Sequence, residues 1–149
     1  MSIDQVLIDQ VLIAKVPIEK VLIANRGEIA VRIARTAADL DIETVAIHPA
    51  DDADARHVKV ADHRAELAGV GAAAYLDVAS VVDAAIAAGC DAVHPGYGFL
   101  AERADFAQAC EDAGLVFIGP TAATLATFGD KTEARRLAES LGVEVPRGT

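Results

Sequence analysis

Four short segments of this sequence carry residue types that could bind a ligand, and each directly follows an apolar run. They are NRGE at residues 25–28, HP at 48–49, HPGYG at 94–98 and GP at 119–120. If the apolar runs are strands of one parallel sheet, these segments meet at its carboxyl edge, where open α/β sheets bind ligands. Glycine lets a loop approach an anion closely, and N–H groups at a helix start attract negative charge. The pattern therefore predicts a ligand-binding edge that suits a small anion.

The NRGE turn contains one glycine, Gly27, whereas a dinucleotide-binding turn has three in the spacing GxGxxG. A domain that binds NAD is therefore a weak hypothesis for this turn. Arg26 could add positive charge beside the N-terminus of the next helix. The alternative is a tight turn in which Arg26 and Glu28 form a salt bridge, and the residues alone leave both open.

In the HPGYG segment, Gly96 and Gly98 flank Tyr97. Such a loop can reverse sharply and present its aromatic ring to a cleft. The alternative is a simple turn with a packed tyrosine. Metal binding is not predicted, because the histidines lack the spacing of zinc ligands; they are His48, His57, His63 and His94.

Lys131 follows Gly129 and Asp130 at the predicted start of the last helix. A helix N-terminus is already positive, so a lysine in the first turn is unfavourable unless an anion binds nearby. The alternative is a solvated surface lysine. Asp130 and Glu133 have the spacing of a capping box. The sequence shows no P-loop, nucleophile elbow, Cys/His pair or carboxylate dyad, so the residues alone give no complete catalytic set.

Short apolar runs alternate with helical patterns from Lys20 onward, and this alternation would position the segments above. Strands are predicted at residues 21–24, 44–47, 65–68, 91–94 and 115–118. Helices are predicted at residues 27–40, from 77 or 80 to 88, at 106–113, 121–128 and 130–141, with a loop and a short helix within 51–62. The order predicts an α/β fold, a Rossmann-like open, mostly parallel sheet with helices on both faces.

The amino-acid composition argues against several classes of protein. The 149 residues include 13 Lys+Arg and 23 Asp+Glu, a net charge of −10, which argues against binding to nucleic acid or to an anionic membrane. A hydrophobic content of 53% excludes a disordered chain. Cys90 and Cys110 lack a paired spacing, so we expect reduced core cysteines and a cytoplasmic protein.

The first 19 residues stand apart from the rest. The hexapeptide IDQVLI occurs at residues 3–8 and 8–13, and a weaker copy, IEKVLI, follows at 18–23. Charged residues and Pro17 interrupt the apolar runs before they could span a membrane or form a signal peptide. We predict that residues 1–19 are an N-terminal extension of unknown role and that residues 20–149 form one domain.

Three motifs in this order resemble a known family. The segments at residues 20–35, 94–100 and 117–120, the last followed by GDK at 129–131, are similar to the N-terminal domain of biotin carboxylase. The resemblance implies a pre-ATP-grasp domain of an enzyme that activates bicarbonate with ATP, as carboxyphosphate, and carboxylates biotin on a carrier protein. It implies ATP, Mg²⁺ and biotin as cofactors, with Mg²⁺ bound mainly by an ATP-grasp domain expected beyond Thr149. The chain alone is therefore expected to be inactive.

The resemblance also assigns individual roles. Lys131 matches a lysine that contacts ATP, and Tyr97 and Gly98 match a loop that faces biotin and bicarbonate. Arg35 and Asp39 lie on the helix that family dimers use, with Asp39 where glutamate is common.

The sequence departs from the family at several loops. Asp41 stands where glycine normally ends the first helix, and Ala101 replaces a serine that would cap a helix, a loss of about 1 kcal/mol. Residues 51–54 lack the usual arginine, and residues 65–71 replace the usual Cys-Ile-Gly-Pro.

The implied partners are the rest of the biotin carboxylase, a biotin carboxyl carrier protein or domain, and a carboxyltransferase, in a homodimer or larger complex. We predict the N-terminal domain of the biotin carboxylase of an acyl-CoA carboxylase. The alternatives are a pyruvate carboxylase and a non-catalytic module that only binds a partner. An NAD-binding oxidoreductase domain is the weakest alternative.

Overall fold

A computed structural model describes residues 17–143 and shows a single parallel sheet flanked by helices. Its strands are β1 (Lys20–Ile23), β2 (Glu43–His48), β3 (His63–Glu66), β4 (Ala92–His94) and β5 (Val116–Phe117). Its helices are α1 (Gly27–Asp39), α2 (Arg56–Val60), α3 (Gly71–Ala74), α4 (Val78–Ala87), α5 (Ala104–Asp112), α6 (Ala122–Gly129) and α7 (Lys131–Ser140), with a 3₁₀ turn at Ala50–Asp52. Most of the predicted N-terminal extension, residues 1–16, lies outside the described residues.

The strand order is β3-β2-β1-β4-β5, and each neighbouring pair is parallel. This confirms the predicted Rossmann-like sheet. From β1 the chain builds outward through β2 and β3, then crosses back to add β4 and β5 on the other side. The direction changes between β1 and β4, where Ile23 is in register with His94. In open α/β sheets, the crevice at such a switch point is where ligands bind.

Alternating residues of β1 build a core on each face of the sheet. Leu22 is fully buried in the larger cluster, which takes in apolar side chains of α4 and α5 such as Val81 and Phe106. Ile23 faces the other way and packs against Ala30 and Ala34 of α1. Helices therefore cover both faces, as predicted, and a strand buried on both sides explains why β1 is a continuous apolar run.

Four helices end in the same hydrogen-bonded motif. Each of α4, α5 and α7 is followed by a C-cap residue and then by a residue with a left-handed φ of +66° to +75°. The N–H of the residue after that donates to a carbonyl of the last helical turn. The left-handed residue is glycine each time: Gly89, Gly114 and Gly142. After α1 the same Schellman pattern forms, since Ile42 N–H donates to the Ala37 carbonyl, but the left-handed residue is Asp41, with φ +56°.

Two local predictions need correction, and one short helix was missed. Strand β3 begins at residue 63 instead of 65, because it is an edge strand with exposed residues and has no apolar pattern; pairing of its His63 with Val45 of β2 sets its position. Helix α3 was not predicted. The N-cap of α5 is Arg103, whose side chain makes no capping bond, and Ala101 lies in the turn before it. The predicted loss of a cap at Ala101 is therefore wrong.

Candidate functional site

Two loops meet at the switch point, and the side chain of Asn25 joins them. Asn25 follows β1, is fully buried, and donates both hydrogens of its amide nitrogen across the sheet edge. The acceptors are the carbonyls of Pro95 and Tyr97, at 2.8 Å and 3.0 Å from Nδ2. Its Oδ1 accepts from the backbone N–H of Arg26 at 2.9 Å. The NRGE turn and the HPGYG loop, 70 residues apart in sequence, thus form one unit.

The loop after β4 needs its glycines for two different reasons. Gly96 has φ +65°, and a Cβ there would lie 2.7 Å from Ile29 Cγ2 and 2.8 Å from Asn25 Nδ2, too close for any side chain. Gly98 has φ +69° with open space around it, so only its backbone conformation requires glycine. The next residue, Phe99, takes a left-handed φ of +46° without being glycine.

The ring of Tyr97 is presented outward instead of being packed. The residue is 65% exposed. It forms part of the wall of an open, mainly apolar groove of about 540 Å³ between α1 and the sheet, together with Ile29, Arg32 and His94. Of the two hypotheses for this segment, the structure supports a loop that offers an aromatic ring to a cleft.

His94 ends β4 directly below this loop. Its Nδ1 lies 3.0 Å from the backbone nitrogen of Gly96, so it accepts that N–H and must be unprotonated there. Burial lowers the pKa of His94, which favours the same neutral form. The neutral imidazole thus helps to hold the start of the loop.

Arg26 belongs to a cluster with Asp52, Tyr75 and His57, here called the Asp52 cluster. Arg26 Nε lies 3.3 Å from Asp52 Oδ2, and the phenol of Tyr75 donates to the same oxygen at 2.8 Å. The guanidinium carbon also lies 5.7 Å from the centre of the Tyr75 ring, within cation–π range. Arg26 therefore pairs with Asp52, and the alternative of an Arg26–Glu28 salt bridge is wrong within residues 17–143.

The buried members of this cluster have shifted pKa values. Burial and the hydrogen bond to Asp52 raise the pKa of Tyr75 well above its ordinary value. Burial lowers the pKa of His57, whose Nε2 lies 3.2 Å from the Ile47 carbonyl, so the ring is neutral and donates to that oxygen. Sequence analysis missed this cluster, because no periodicity links positions 26, 52, 57 and 75.

Lys131 is the first residue of α7 and is exposed to solvent. The cap before it forms as predicted: Asp130 Oδ1 accepts from the backbone N–H groups of Thr132 at 2.7 Å and Glu133 at 3.2 Å, and these bonds lower the pKa of Asp130. The Glu133 carboxylate pairs with Arg136 Nη1 at 2.6 Å and, within residues 17–143, does not accept from the Asp130 N–H, so only the Asp130 half of the predicted capping box forms. Within residues 17–143, Lys131 has no ion-pair partner.

Helix α7 packs against α6, and α6 against α5, the helix that follows the HPGYG loop. Lys131 therefore belongs to a C-terminal pair of helices, whereas Tyr97 and Gly98 lie at the edge of the sheet.

Arg35 and Asp39 are both exposed on α1, one helical turn apart. Arg35 lines a second open groove of about 540 Å³, together with Arg32, Arg56 and Glu28. Over the described part of the chain, neither Arg35 nor Asp39 makes an ion pair. The groove is thus lined by three arginines of an acidic protein, two on α1 and one, Arg56, at the start of α2.

Within residues 17–143, no group of three or more His, Cys, Asp or Glu side chains is placed to hold a metal ion. No helix in that range is long and apolar enough to cross a membrane.

Comparison with known proteins gives one consistent result. The family model "Biotin carboxylase, N-terminal domain" matches residues 17–125. The chain is 51% identical to the mitochondrial methylcrotonoyl-CoA carboxylase subunit alpha of Glycine max over 86% of its length and 18% of that protein. It is 52% identical to the mitochondrial pyruvate carboxylase of Rattus norvegicus (87% and 11%) and 48% identical to biotin carboxylase 1 of Bacillus subtilis (87% and 29%). The chain thus spans less than a third of each relative.

Solved structures agree with the sequence relatives. The biotin carboxylase domain of a single-chain bacterial carboxylase superposes with a TM-score of 0.84 at 55% identity, covering 87% of this chain and 30% of that one. A dimer of the biotin carboxylase domain of 2-oxoglutarate carboxylase from Hydrogenobacter thermophilus, in complex with MgADP, ADP and bicarbonate, superposes with a TM-score of 0.84 at 44% identity, covering 89% and 29%.

Proposed function

This chain belongs to the family of biotin carboxylase N-terminal domains, and we propose that it serves an ATP-dependent enzyme that carboxylates biotin on a carrier protein. The proposal is supported most directly by the loop at the switch point. There the family motif HPGYG folds into a loop that offers an exposed Tyr97 at the edge where such sheets bind ligands. The relatives that match across most of this chain are carboxylases.

We propose that Lys131 contacts ATP. An exposed lysine at the start of a helix, with no anionic partner in the described residues, suits a phosphate group, because the phosphate would offset the repulsion between the lysine and the helix dipole. We further propose that Mg²⁺ binds mainly to an ATP-grasp domain of the complete enzyme. A related domain has been solved with MgADP and bicarbonate. When bound, ATP would supply the phosphoryl group that activates bicarbonate.

Tyr97 and Gly98 are proposed to face biotin and bicarbonate. Tyr97 is exposed on the groove, and the left-handed Gly98 lets the chain turn directly after the ring. The neutral His94 and the buried Asn25 hold the backbone beneath them. On this proposal the domain contributes one wall of the cleft, and the rest of the enzyme contributes the others.

The remaining assignments are proposals too. Residues 20–149 would form one domain and residues 1–19 an extension. The partners would be the rest of the carboxylase, a biotin carrier and a carboxyltransferase. Arg35 and Asp39 would lie in a dimer interface; both are exposed on α1, and a related domain is a dimer in its structure.

The acceptor of the carboxyl group is proposed to be an acyl-CoA, with pyruvate as the alternative, since relatives of both kinds match this chain about equally well. An assay of the complete carboxylase with an acyl-CoA and with pyruvate would distinguish the two acceptors. We propose a cytoplasmic location because both cysteines are free and buried, as is typical of a reducing compartment. Two of the relatives are mitochondrial.

The role of Lys131 can be tested in a chimera of Bacillus subtilis biotin carboxylase 1 whose N-terminal domain is replaced by residues 20–149. Lys131→Ala should raise the KM for ATP by roughly tenfold, because it removes one charge-assisted hydrogen bond. Lys59→Ala is the matched control: Lys59 is also an exposed helical lysine, but it pairs with Asp54 at 3.6 Å, so its loss should leave that KM unchanged. An unchanged KM for a folded Lys131→Ala chimera would contradict the role.

A further inference from the structure

The loop that carries Tyr97 has a conformation that costs free energy. Three of the four residues from 96 to 99 have left-handed φ values, and Phe99 lacks the freedom of glycine. A non-glycine residue in this region is disfavoured by about 1 kcal/mol or more. Such a backbone persists only when its surroundings hold it, so the contacts that hold it decide where the Tyr97 ring lies.

Asn25 makes the contacts that best meet this need. Its two amide hydrogens bond to the carbonyls of Pro95 and Tyr97, which lie on either side of the left-handed Gly96. Its Oδ1 accepts from Arg26, so both the donor and the acceptor end of the amide are engaged in a site with no solvent exposure. The amide is therefore fixed in orientation as well as in place.

The two side chains most similar to asparagine would not make the contacts of Asn25. Aspartate has nearly the same shape, but it would place an oxygen against two carbonyl oxygens and lose both hydrogen bonds. Glutamine is longer by one methylene, so its amide would not lie where Asn25 Nδ2 reaches both carbonyls at 2.8 Å and 3.0 Å. The three hydrogen bonds of Asn25 therefore use both the chemistry and the length of asparagine.

We propose that Asn25 is a positioning residue, whose side-chain amide holds the HPGYG loop in the conformation that presents Tyr97 to the cleft. The link to catalysis rests on the proposed function of Tyr97. The link between Asn25 and the loop does not, because it follows from the hydrogen bonds alone. The two parts can therefore be tested separately.

The first test uses NMR on the 149-residue chain and compares Asn25→Asp with Val45→Ala. Val45 is buried in β2 away from the loop, so its truncation lowers overall stability without touching Asn25. The backbone amides of Gly96 and Ala101 bond to His94 and to the Gly98 carbonyl. Asn25→Asp should speed their hydrogen exchange at least tenfold more than exchange in β1.

Val45→Ala should instead speed exchange throughout the core, in β1 as much as in the loop. If Asn25→Asp changes exchange in the same uniform way, Asn25 has only a structural role and the inference is overturned. If Asn25→Asp does not fold, hydrogen exchange in the unmodified chain still tests the inference. Its Asn25 side-chain NH₂ protons should exchange slowly with solvent, and rapid exchange would overturn the inference.

The second test measures kinetics in the chimera. Asn25→Asp should lower kcat or raise the KM for bicarbonate at least tenfold while leaving the KM for ATP unchanged, because Lys131 lies on another element. If the loop amides respond but these constants do not, Asn25 holds the loop as inferred and the proposed role of Tyr97 is wrong. If the amides do not respond, the inference about Asn25 fails and the proposed function is untouched.

Discussion

Asp41 occupies a left-handed position that glycine holds at the ends of α4, α5 and α7, and Asp41→Gly should stabilise the protein. A residue with a Cβ in this conformation costs about 1–2 kcal/mol. The greater freedom of glycine in the unfolded chain offsets about 0.5–1 kcal/mol of that gain. Removing a negative charge from the C-terminus of α1 adds a small favourable contribution. The net gain should be about 1 kcal/mol, or roughly 3 °C in Tm for a domain of this size.

Two matched variants separate backbone strain from charge. Asp41→Asn removes only the charge, so it should give a smaller gain than Asp41→Gly. Gly89→Asp recreates the Asp41 arrangement at the end of α4. Since no atom lies within 4 Å of a Cβ built there, no steric clash is expected, and backbone strain together with the added negative charge should lower its stability by about 1 kcal/mol. Urea denaturation of the four chains measures these differences. If Asp41→Gly is no more stable than Asp41→Asn, the strain at Asp41 is not what limits stability.

Three further predictions follow from the buried groups. Burial lowers the pKa of His57 and His94 below 6.5, so the unfolded chain takes up more protons than the folded chain as the pH falls. Urea denaturation should therefore give a free energy of unfolding that is level above about pH 7 and decreases below pH 6.5. An increase towards pH 5.5 would contradict this. Burial raises the pKa of Cys90 and Cys110 to about 11, so neither thiol should react quickly with iodoacetamide at pH 8 until the chain unfolds, and rapid labelling of the native chain is the contrary result. Asp52→Asn should lower the free energy of unfolding by about 1–3 kcal/mol, because a phenol and a guanidinium lose their shared carboxylate, whereas an unchanged urea midpoint would show that the Asp52 cluster contributes nothing.

Apolar runs predicted most of the sheet, because its strands are buried on both faces and must be hydrophobic throughout. Leu22 and Ile23 show this directly: neighbours in sequence, they lie in separate cores on opposite sides of the sheet. The edge strand β3 was predicted at the wrong residues because it is not buried on both faces. Three of its four residues are exposed, so its position depends on backbone pairing with β2, which leaves no trace in side-chain pattern.

The sequence allowed the segments that form the site to be predicted, but not which of their residues contact one another. Glycines around Tyr97 indicated a loop that could present the ring, and the ring is exposed. The partners of Arg26 and Asn25 could not be foreseen, because Asp52 and Pro95 lie 26 and 70 residues further along the chain. Only the folded sheet brings the carboxyl ends of β1, β2 and β4 together. Long-range hydrogen bonds of this kind have no local sequence signal.

The central claim is that this chain can act as the N-terminal domain of a biotin carboxylase. It is tested most directly by bicarbonate-dependent ATP cleavage in the unmodified chimera, with residues 20–149 in place of the N-terminal domain of Bacillus subtilis biotin carboxylase 1. The account predicts that the folded chimera cleaves ATP only when bicarbonate is present, and that the isolated 149-residue chain does not. A chimera that folds but shows no bicarbonate-dependent cleavage, or an isolated chain that cleaves ATP by itself, would contradict the claim.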